Sequence, residues 1–266
     1  MNSTAMPTFP NLEEVVLKNA PLETVLAQVR FETILSIQDQ SRMAAFQEVI
    51  RKMYPVFHQD YIQAHTITVA EGAGTVAVNK FPLGRFSDVS GKWRASLSPE
   101  FLSLETWDYD SRTDMATRFG FLLETLERCF SPSVVSRVGI RYVNRMRGDA
   151  LKRLSELISA PLLGAFGSDM AGALLATMSE NLFQMEETQL LARWGYLPAN
   201  TTIDPDVVKP SAEASWILDI DCSKLATVAW NREQLTKEID TLATNSYRFF
   251  RWAVQKEFLE YYGVNA

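Results

Sequence analysis

Arginines at alternate positions of one segment are the side chains best suited to chemistry in this chain. Residues 134–146 alternate as a strand does, and Arg141 and Arg145 share one parity, so both are expected on one sheet face. A later predicted strand places Asp219 and Asp221 together on one face. Guanidinium groups recognise carboxylates and phosphates with forked donors, so this pattern predicts an anion-binding groove on an open sheet.

Two interpretations of these charges remain open. In the first, the groove binds a ligand or partner, and its candidate residues are Arg30, Arg141, Arg145, Asp219 and Asp221. In the second, opposite charges on neighbouring strands form an ordinary salt-bridge lattice. A glycosidase or metal centre built on the two aspartates is weaker than either, because same-face carboxylates are common in proteins without such sites.

The chain has few of the motifs that mark enzymes. It lacks a phosphate-binding glycine loop ending in Lys-Ser or Lys-Thr, a nucleophile elbow, a close cysteine pair and a helical His-Glu-x-x-His. His58 and His65 are the only histidines, so a zinc site would need carboxylates or cysteines to complete it. We therefore predict no catalytic residue, no cofactor and no metal, and a protein that is more readily a binder than an enzyme.

Composition narrows the class of protein further. The 266 residues are 47% hydrophobic and 22% charged, as in ordinary globular proteins. A net charge of −6 speaks against non-specific nucleic-acid binding, which needs many Lys and Arg contacts to phosphates. No apolar run has membrane-spanning length, the start has no signal-peptide core, and Cys129 and Cys222 are expected to be reduced. These features predict a cytoplasmic protein without membrane contact.

The elements that would hold these residues follow one order in each half of the chain. After an N-terminal tail, residues 1–21, the first half spans residues 22–131 and the second spans residues 133–266. Each half is predicted to contain a strand, a helical region, further strands and a long helix. This pattern predicts an α+β protein of two related halves, each an antiparallel sheet with helices packed on one face.

A repeated tryptophan spacing is the main sign of internal duplication. Trp93 and Trp107 are fourteen residues apart, and so are Trp216 and Trp230. Each pair is predicted to bracket two strands, residues 92–97 with 101–107 and residues 215–222 with 225–230. Residues 81–91, which contain proline and glycine, are predicted to be a loop.

Two segments of the second half suggest contacts with other molecules. The loop at residues 198–213 contains prolines and charges but few apolar anchors, so it is predicted to be mobile or weakly packed. Residues 232–262 are predicted to form one long aromatic helix, whose far end needs cover from another chain or from the N-terminal tail. Its predicted homodimer interface comprises Phe250, Trp252, Phe258, Tyr261 and Tyr262.

Several short motifs resemble a known family. They are LKNAPL at residues 17–22, QVRF at 28–31, GIRYVN at 139–144 and LDID at 218–221. Together they resemble a sporadically distributed family of uncharacterised bacterial proteins of about this length, over nearly the whole chain. The resemblance names no chemistry and supplies no catalytic residues. A patchy distribution implies genes that travel, as defence, toxin-neutralising or prophage-associated genes do.

These observations favour an intracellular, non-enzymatic binding protein that forms a homodimer and engages a protein or peptide partner through a sheet face or edge. The alternative is a small-molecule or nucleotide sensor, in which arginines of the sheet face hold an anion. An enzyme of unrecognised type, dependent on the two aspartates, is the third and weakest hypothesis.

Overall fold

Strands and helices together give the mixed α+β fold that the sequence predicts. The computed structural model describes residues 14–70 and 73–263, and only the backbone for residues 63–70 and 73–79. The strands are β1 (Leu22–Phe31), β2 (Val56–Ala70), β3 (Ala73–Ser87), β4 (Trp93–Ser98), β5 (Phe101–Thr106), β6 (Val134–Met146), β7 (Ser179–Met185), β8 (Thr188–Leu197) and β9 (Ser215–Ala229). Within the described residues they form one nine-stranded antiparallel sheet in the order β2-β3-β4-β5-β1-β6-β9-β8-β7.

Helices of very different length pack on this sheet. The α-helices are α1 (Gln40–Ile50), α2 (Arg112–Phe130), α3 (Gly148–Lys152), α4 (Leu154–Leu157), α5 (Ala160–Leu163), α6 (Arg232–Ala253) and α7 (Lys256–Tyr261). Short 3-10 turns occupy Leu35–Gln38, Gly164–Gly167 and Asp169–Ala173. Within the described residues, no helix is both long and apolar enough to cross a membrane.

The chain divides into two compact units. The first unit takes Met1–Leu26, Gly139–Leu225 and Lys237–Ala266, and the second takes Ala27–Val138 and Ala226–Thr236. These units do not coincide with the predicted halves. The strand order is nevertheless similar in the two halves. In each half the first strand, β1 or β6, is central, and the later strands, β2 to β5 or β7 to β9, follow in sequence order from the edge of the sheet inward. The duplication itself stays a prediction.

The core of the second unit forms where α1 and α2 pack their apolar faces. Phe46 of α1 is fully buried, and its ring lies 5.7 Å from that of Phe86 and 6.1 Å from that of Phe130. Helix α2 begins at a serine cap, since the Ser111 side chain accepts from the backbone N–H of Asp114. On β1, Ala27, Val29 and Phe31 are buried because alternate residues of a strand share one face.

In the first unit, the core includes both faces of β9, since Ile217 and Asp219 are buried as well as their neighbours. Trp216, Leu218, Ile220 and Cys222 are buried, as the sequence predicts for one face of this strand. On the neighbouring β8, Gly195 permits a close backbone approach. A Cβ atom there would lie 2.0 Å from the Thr177 carbonyl oxygen, so this position requires glycine.

Two predicted strand boundaries are wrong. Residues 215–229 form the single strand β9 where two strands are predicted, because this segment lacks the proline turn that divides β4 from β5. The two tryptophan pairs therefore enclose different structures, the β4–β5 hairpin after Trp93 and one continuous strand after Trp216. In addition, β3 continues to Ser87 through the predicted loop at residues 81–91. Pro82 is tolerated there, because β3 pairs with β4 only from Gly84 to Ser87.

Candidate functional site

The candidate site lies in the first unit, where β6 and β9 are neighbours in the sheet. Their alternation brings Arg141 and Asp219 together, as the sequence predicts. Arg141 Nε donates to Asp219 Oδ1 and Nη2 donates to Asp219 Oδ2, each at 2.8 Å. The Asp219 side chain is 1% exposed and that of Arg141 is 10% exposed. This is a buried, bidentate ion pair, the strongest geometry available to these groups.

Two further charges complete this pair. Arg141 Nη1 donates to Asp204 Oδ2 at 2.8 Å, and Asp204 belongs to the β8–β9 loop (residues 198–214). On β8, Arg193 Nη1 lies 3.5 Å from Asp219 Oδ2, while its Nε donates to Glu180 at 2.6 Å. The Nε–Nη2 edge of Arg141 and its Nη1 are thus both occupied by carboxylates of the protein itself.

The electrostatics of Arg141 match this geometry. Burial alone lowers the pKa of the guanidinium, but the hydrogen bonds and charges of Asp219 and Asp204 outweigh it and raise the pKa above its ordinary value. Arg141 is therefore charged, and its guanidinium contacts two carboxylates. For this part of the sheet, the salt-bridge interpretation describes the geometry better than an open groove.

Arg145, four residues further along β6, is in a different situation. Its side chain is 1% exposed, and Nη1 donates to the Lys209 carbonyl at 2.8 Å and lies 3.1 Å from Glu23 Oε1. Its Nε and Nη2 are buried and have no hydrogen-bond partner among the described residues. Burial lowers the pKa of Arg145, and Glu23 opposes this effect only in part.

Arg147 shares the carboxylate that Arg145 uses. Its Nη2 donates to Glu23 Oε2 at 2.5 Å, and its Nε donates to Ser211 Oγ at 3.2 Å. One glutamate on β1 therefore serves two arginines, and the contacts of Lys209 and Ser211 tie the β8–β9 loop to the same cluster.

The β8–β9 loop makes anchoring contacts that the sequence did not predict, whereas its mobility stays a prediction. Val208 is fully buried, and the Asn200 N–H donates to the Ser211 carbonyl at 2.6 Å. The Thr202 hydroxyl also donates to the Val208 carbonyl. Composition indicated few apolar anchors, but it did not show that the loop's polar groups meet the arginines of β6.

The remaining predicted ligand-binding residues have other surroundings. Arg30 is exposed in the second unit, where its Nε donates to Gln28 Oε1 at 3.2 Å and its guanidinium lies 5.9 Å from the Phe101 ring centroid. Asp221 is half-buried on β9 and lies opposite Leu191 of β8. Three charged residues of this site were not predicted from the sequence, namely Asp204, Glu23 and Arg193. Of these, only Arg193 could have been found, from its parity on β8.

Two of the five residues of the predicted dimer interface are covered by the protein itself. The helix predicted over residues 232–262 divides into α6 and α7. Phe258 is 0% exposed and Tyr262 is 9% exposed, so neither is available to a partner. The N-terminal segment covers this end, since the Lys18 N–H donates to the Gly263 carbonyl and the Asn19 N–H to that of Tyr262.

The other interface candidates remain partly accessible. Phe250 is half-buried, and Trp252 and Tyr261 are each 38% exposed. Self-association through this helix stays a prediction, but the need to cover its far end no longer supports it.

The outer edge of β2 is a second accessible feature, in the second unit. The strand ends the sheet, is 15 residues long and contains one carboxylate, Asp60, which pairs with Arg85 of β3 at 2.8 Å. Val56, Phe57 and Tyr61 are exposed on it, Tyr61 by 61%. The position of this strand at an edge is not predictable from its residues, because pairing order is a property of the whole sheet.

The comparisons give no family for this chain, since no protein-family model and no curated protein matches it. Among the side chains that the structure describes, no group of three or more His, Cys, Asp or Glu could hold a metal ion. The geometry thus offers two features for function: the edge of β2 and the incompletely paired Arg145.

Proposed function

We propose that the protein is a non-enzymatic binding protein that pairs its edge strand β2 with an extended strand of a protein partner. A second copy of the chain is the partner to test first. The observation that carries this proposal is the long, nearly uncharged outer edge of β2 with its exposed aromatic rings.

The edge of a β-sheet is a place where a further strand can pair. An edge strand presents unpaired N–H and C=O groups, and natural proteins usually protect such edges with lysines, prolines, bulges or short length. Strand β2 contains no lysine and no proline, and Asp60, its single carboxylate, is neutralised by Arg85. An added strand would satisfy the backbone groups, while neighbouring rings such as Phe57 and Tyr61 would supply apolar contact.

The opposite edge of the sheet has a weaker case. Strand β7 has 7 residues, so it offers about half the length of β2 for pairing. Leu182 is its exposed large apolar residue. This comparison favours β2 and supplies a matched control.

A second copy is the simplest partner for such an edge. Two identical edge strands can pair antiparallel about a twofold axis, which protects both edges in one closed dimer. Because Asp60 is already paired within its own chain, such pairing does not bring two unneutralised carboxylates together. An extended peptide of another protein would use the same backbone groups.

Lysine substitutions test the proposal. We expect the wild-type protein to form a concentration-dependent dimer in light scattering, and Phe57→Lys combined with Tyr61→Lys to be a folded monomer by circular dichroism. Leu182→Lys on β7 should leave the dimer intact. Trp252→Lys should also leave it intact, whereas dissociation by that variant would support the α6 helix as the interface and contradict the edge.

A display experiment covers the case of another partner. Short random peptides selected on the wild-type protein should lose binding to the Phe57→Lys/Tyr61→Lys variant. A wild-type monomer at all accessible concentrations, together with no peptide whose binding depends on the β2 edge, would refute the proposed function.

A further inference from the structure

Arg145 is the one described side chain with two buried polar atoms that lack any hydrogen-bond partner. The guanidinium carries its N–H donors on three nitrogens, and only Nη1 is used, by the Lys209 carbonyl and Glu23. Leaving buried donors unpaired is costly, and more so when the group is charged. Such an arrangement indicates that an acceptor belongs beside Nε and Nη2.

Arg141 shows which acceptor fits this edge of a guanidinium. It lies on the same face of β6, and its Nε and Nη2 hold the two carboxylate oxygens of Asp219, each at 2.8 Å. Arg145 presents the same pair of nitrogens, Nε and Nη2, with no protein carboxylate opposite them. The same strand thus contains one filled and one empty side-on fork.

The local charge decides between kinds of anion. Arg145 and Arg147 share the single carboxylate of Glu23, so these three side chains have one positive charge in excess. A carboxylate supplies one negative charge and two coplanar oxygens, which match both the excess and the fork. A phosphate dianion carries two negative charges and would exceed the single positive charge in excess.

We propose that Arg145 anchors a binding site for a small organic acid, whose carboxylate is held side-on by Nε and Nη2. Because the side chain is 1% exposed, the acid enters when the β8–β9 loop releases its contacts. The Lys209 carbonyl on Nη1 joins that loop to the same guanidinium, so an occupied site holds the loop more firmly. The site belongs to the first unit and is separate from the β2 edge.

Arginine side-chain resonances of the full-length protein, labelled with nitrogen-15, give a direct test. We expect sodium acetate to shift the Arg145 Nε–H resonance saturably, while sodium chloride at equal ionic strength does not. Acetate should also raise the melting temperature. Arg145→Lys keeps the charge but loses the planar fork. In this variant, the acetate concentration that gives half of the rise in melting temperature should therefore increase at least tenfold.

Arg137→Lys is the matched control, because Arg137 shares the strand and parity of Arg145 but lies in the second unit. It should respond to acetate as the wild type does. An Arg145 resonance that acetate leaves unchanged would overturn the proposal, and this titration needs no variant to fold. A response to inorganic phosphate alone would overturn the assignment to carboxylates, and an unchanged response in Arg145→Lys would overturn the role of the fork.

Discussion

Arg141 and Arg145 lie four residues apart on one strand, yet their burial has opposite consequences for stability. Asp219 and Asp204 both accept hydrogen bonds from Arg141, so removal of the Arg141 side chain would leave the buried carboxylate of Asp219 without this partner. Arg145 has Glu23 beside Nη1 but no acceptor for Nε and Nη2, so its burial carries a cost that a bound anion would offset. The same residue type is thus fully paired at position 141 and, four residues later, is buried with two nitrogens unpaired.

Arg141→Met should lower the free energy of unfolding by about 3–5 kcal/mol, because the buried carboxylate of Asp219 would lose its bidentate partner. Urea denaturation measures this change.

The double variant Arg141→Met/Asp219→Leu is the control for this prediction. It removes both charges, so it should recover most of the lost stability. A loss below about 1 kcal/mol in Arg141→Met would contradict the structural role of the ion pair.

Strand parity is enough to predict contacts between neighbouring strands, but not contacts from loops. Arg141 and Asp219 were predictable because each sits on an alternating strand with its partner face defined. Asp204 reaches Arg141 from an irregular loop, and the Glu23 contact depends on which strand lies beside β6. Neither relation is a property of local sequence.

At the level of elements, the division between α6 and α7 has a tertiary cause. The Ser159 N–H donates to the Ala253 carbonyl at 2.9 Å, and the Gln255 N–H donates to the Leu157 carbonyl at 2.8 Å. These bonds replace helical ones, so the helix ends without a local glycine or proline. The sequence predicted the helical residues well but could not show this interruption, as it could not show that residues 81–87 extend β3.

Phe258→Ala should cost about 3–5 kcal/mol of unfolding free energy, because this ring is fully buried on α7. It packs 5.5 Å from the Phe250 ring and 4.6 Å from the Tyr262 ring. Chemical denaturation measures this loss, and Tyr261→Ala is the control variant. That ring is 38% exposed, and its removal should cost about 1 kcal/mol. Equal losses would contradict the assignment of Phe258 to the core.

At the scale of the whole molecule, the edge strands of the sheet and the net negative charge of the chain both affect association. Sequence patterns predicted the α+β class and most strands, but the order of strands, and hence the identity of β2 as an edge, follows only from long-range pairing. The net charge is available from composition alone and has a separate, testable effect on a dimer.

Added salt should strengthen the proposed dimer. Each copy carries a formal net charge of −6, so two copies repel, while backbone pairing and apolar contact at β2 depend little on salt. Between about 0.1 M and about 1 M salt, the screening length falls from about 10 Å to about 3 Å, which removes most of that repulsion. Sedimentation equilibrium should therefore give a dissociation constant that decreases several-fold over this range. A constant that increases instead would show that ion pairs between the copies hold the dimer, and would contradict pairing through the uncharged β2 edge.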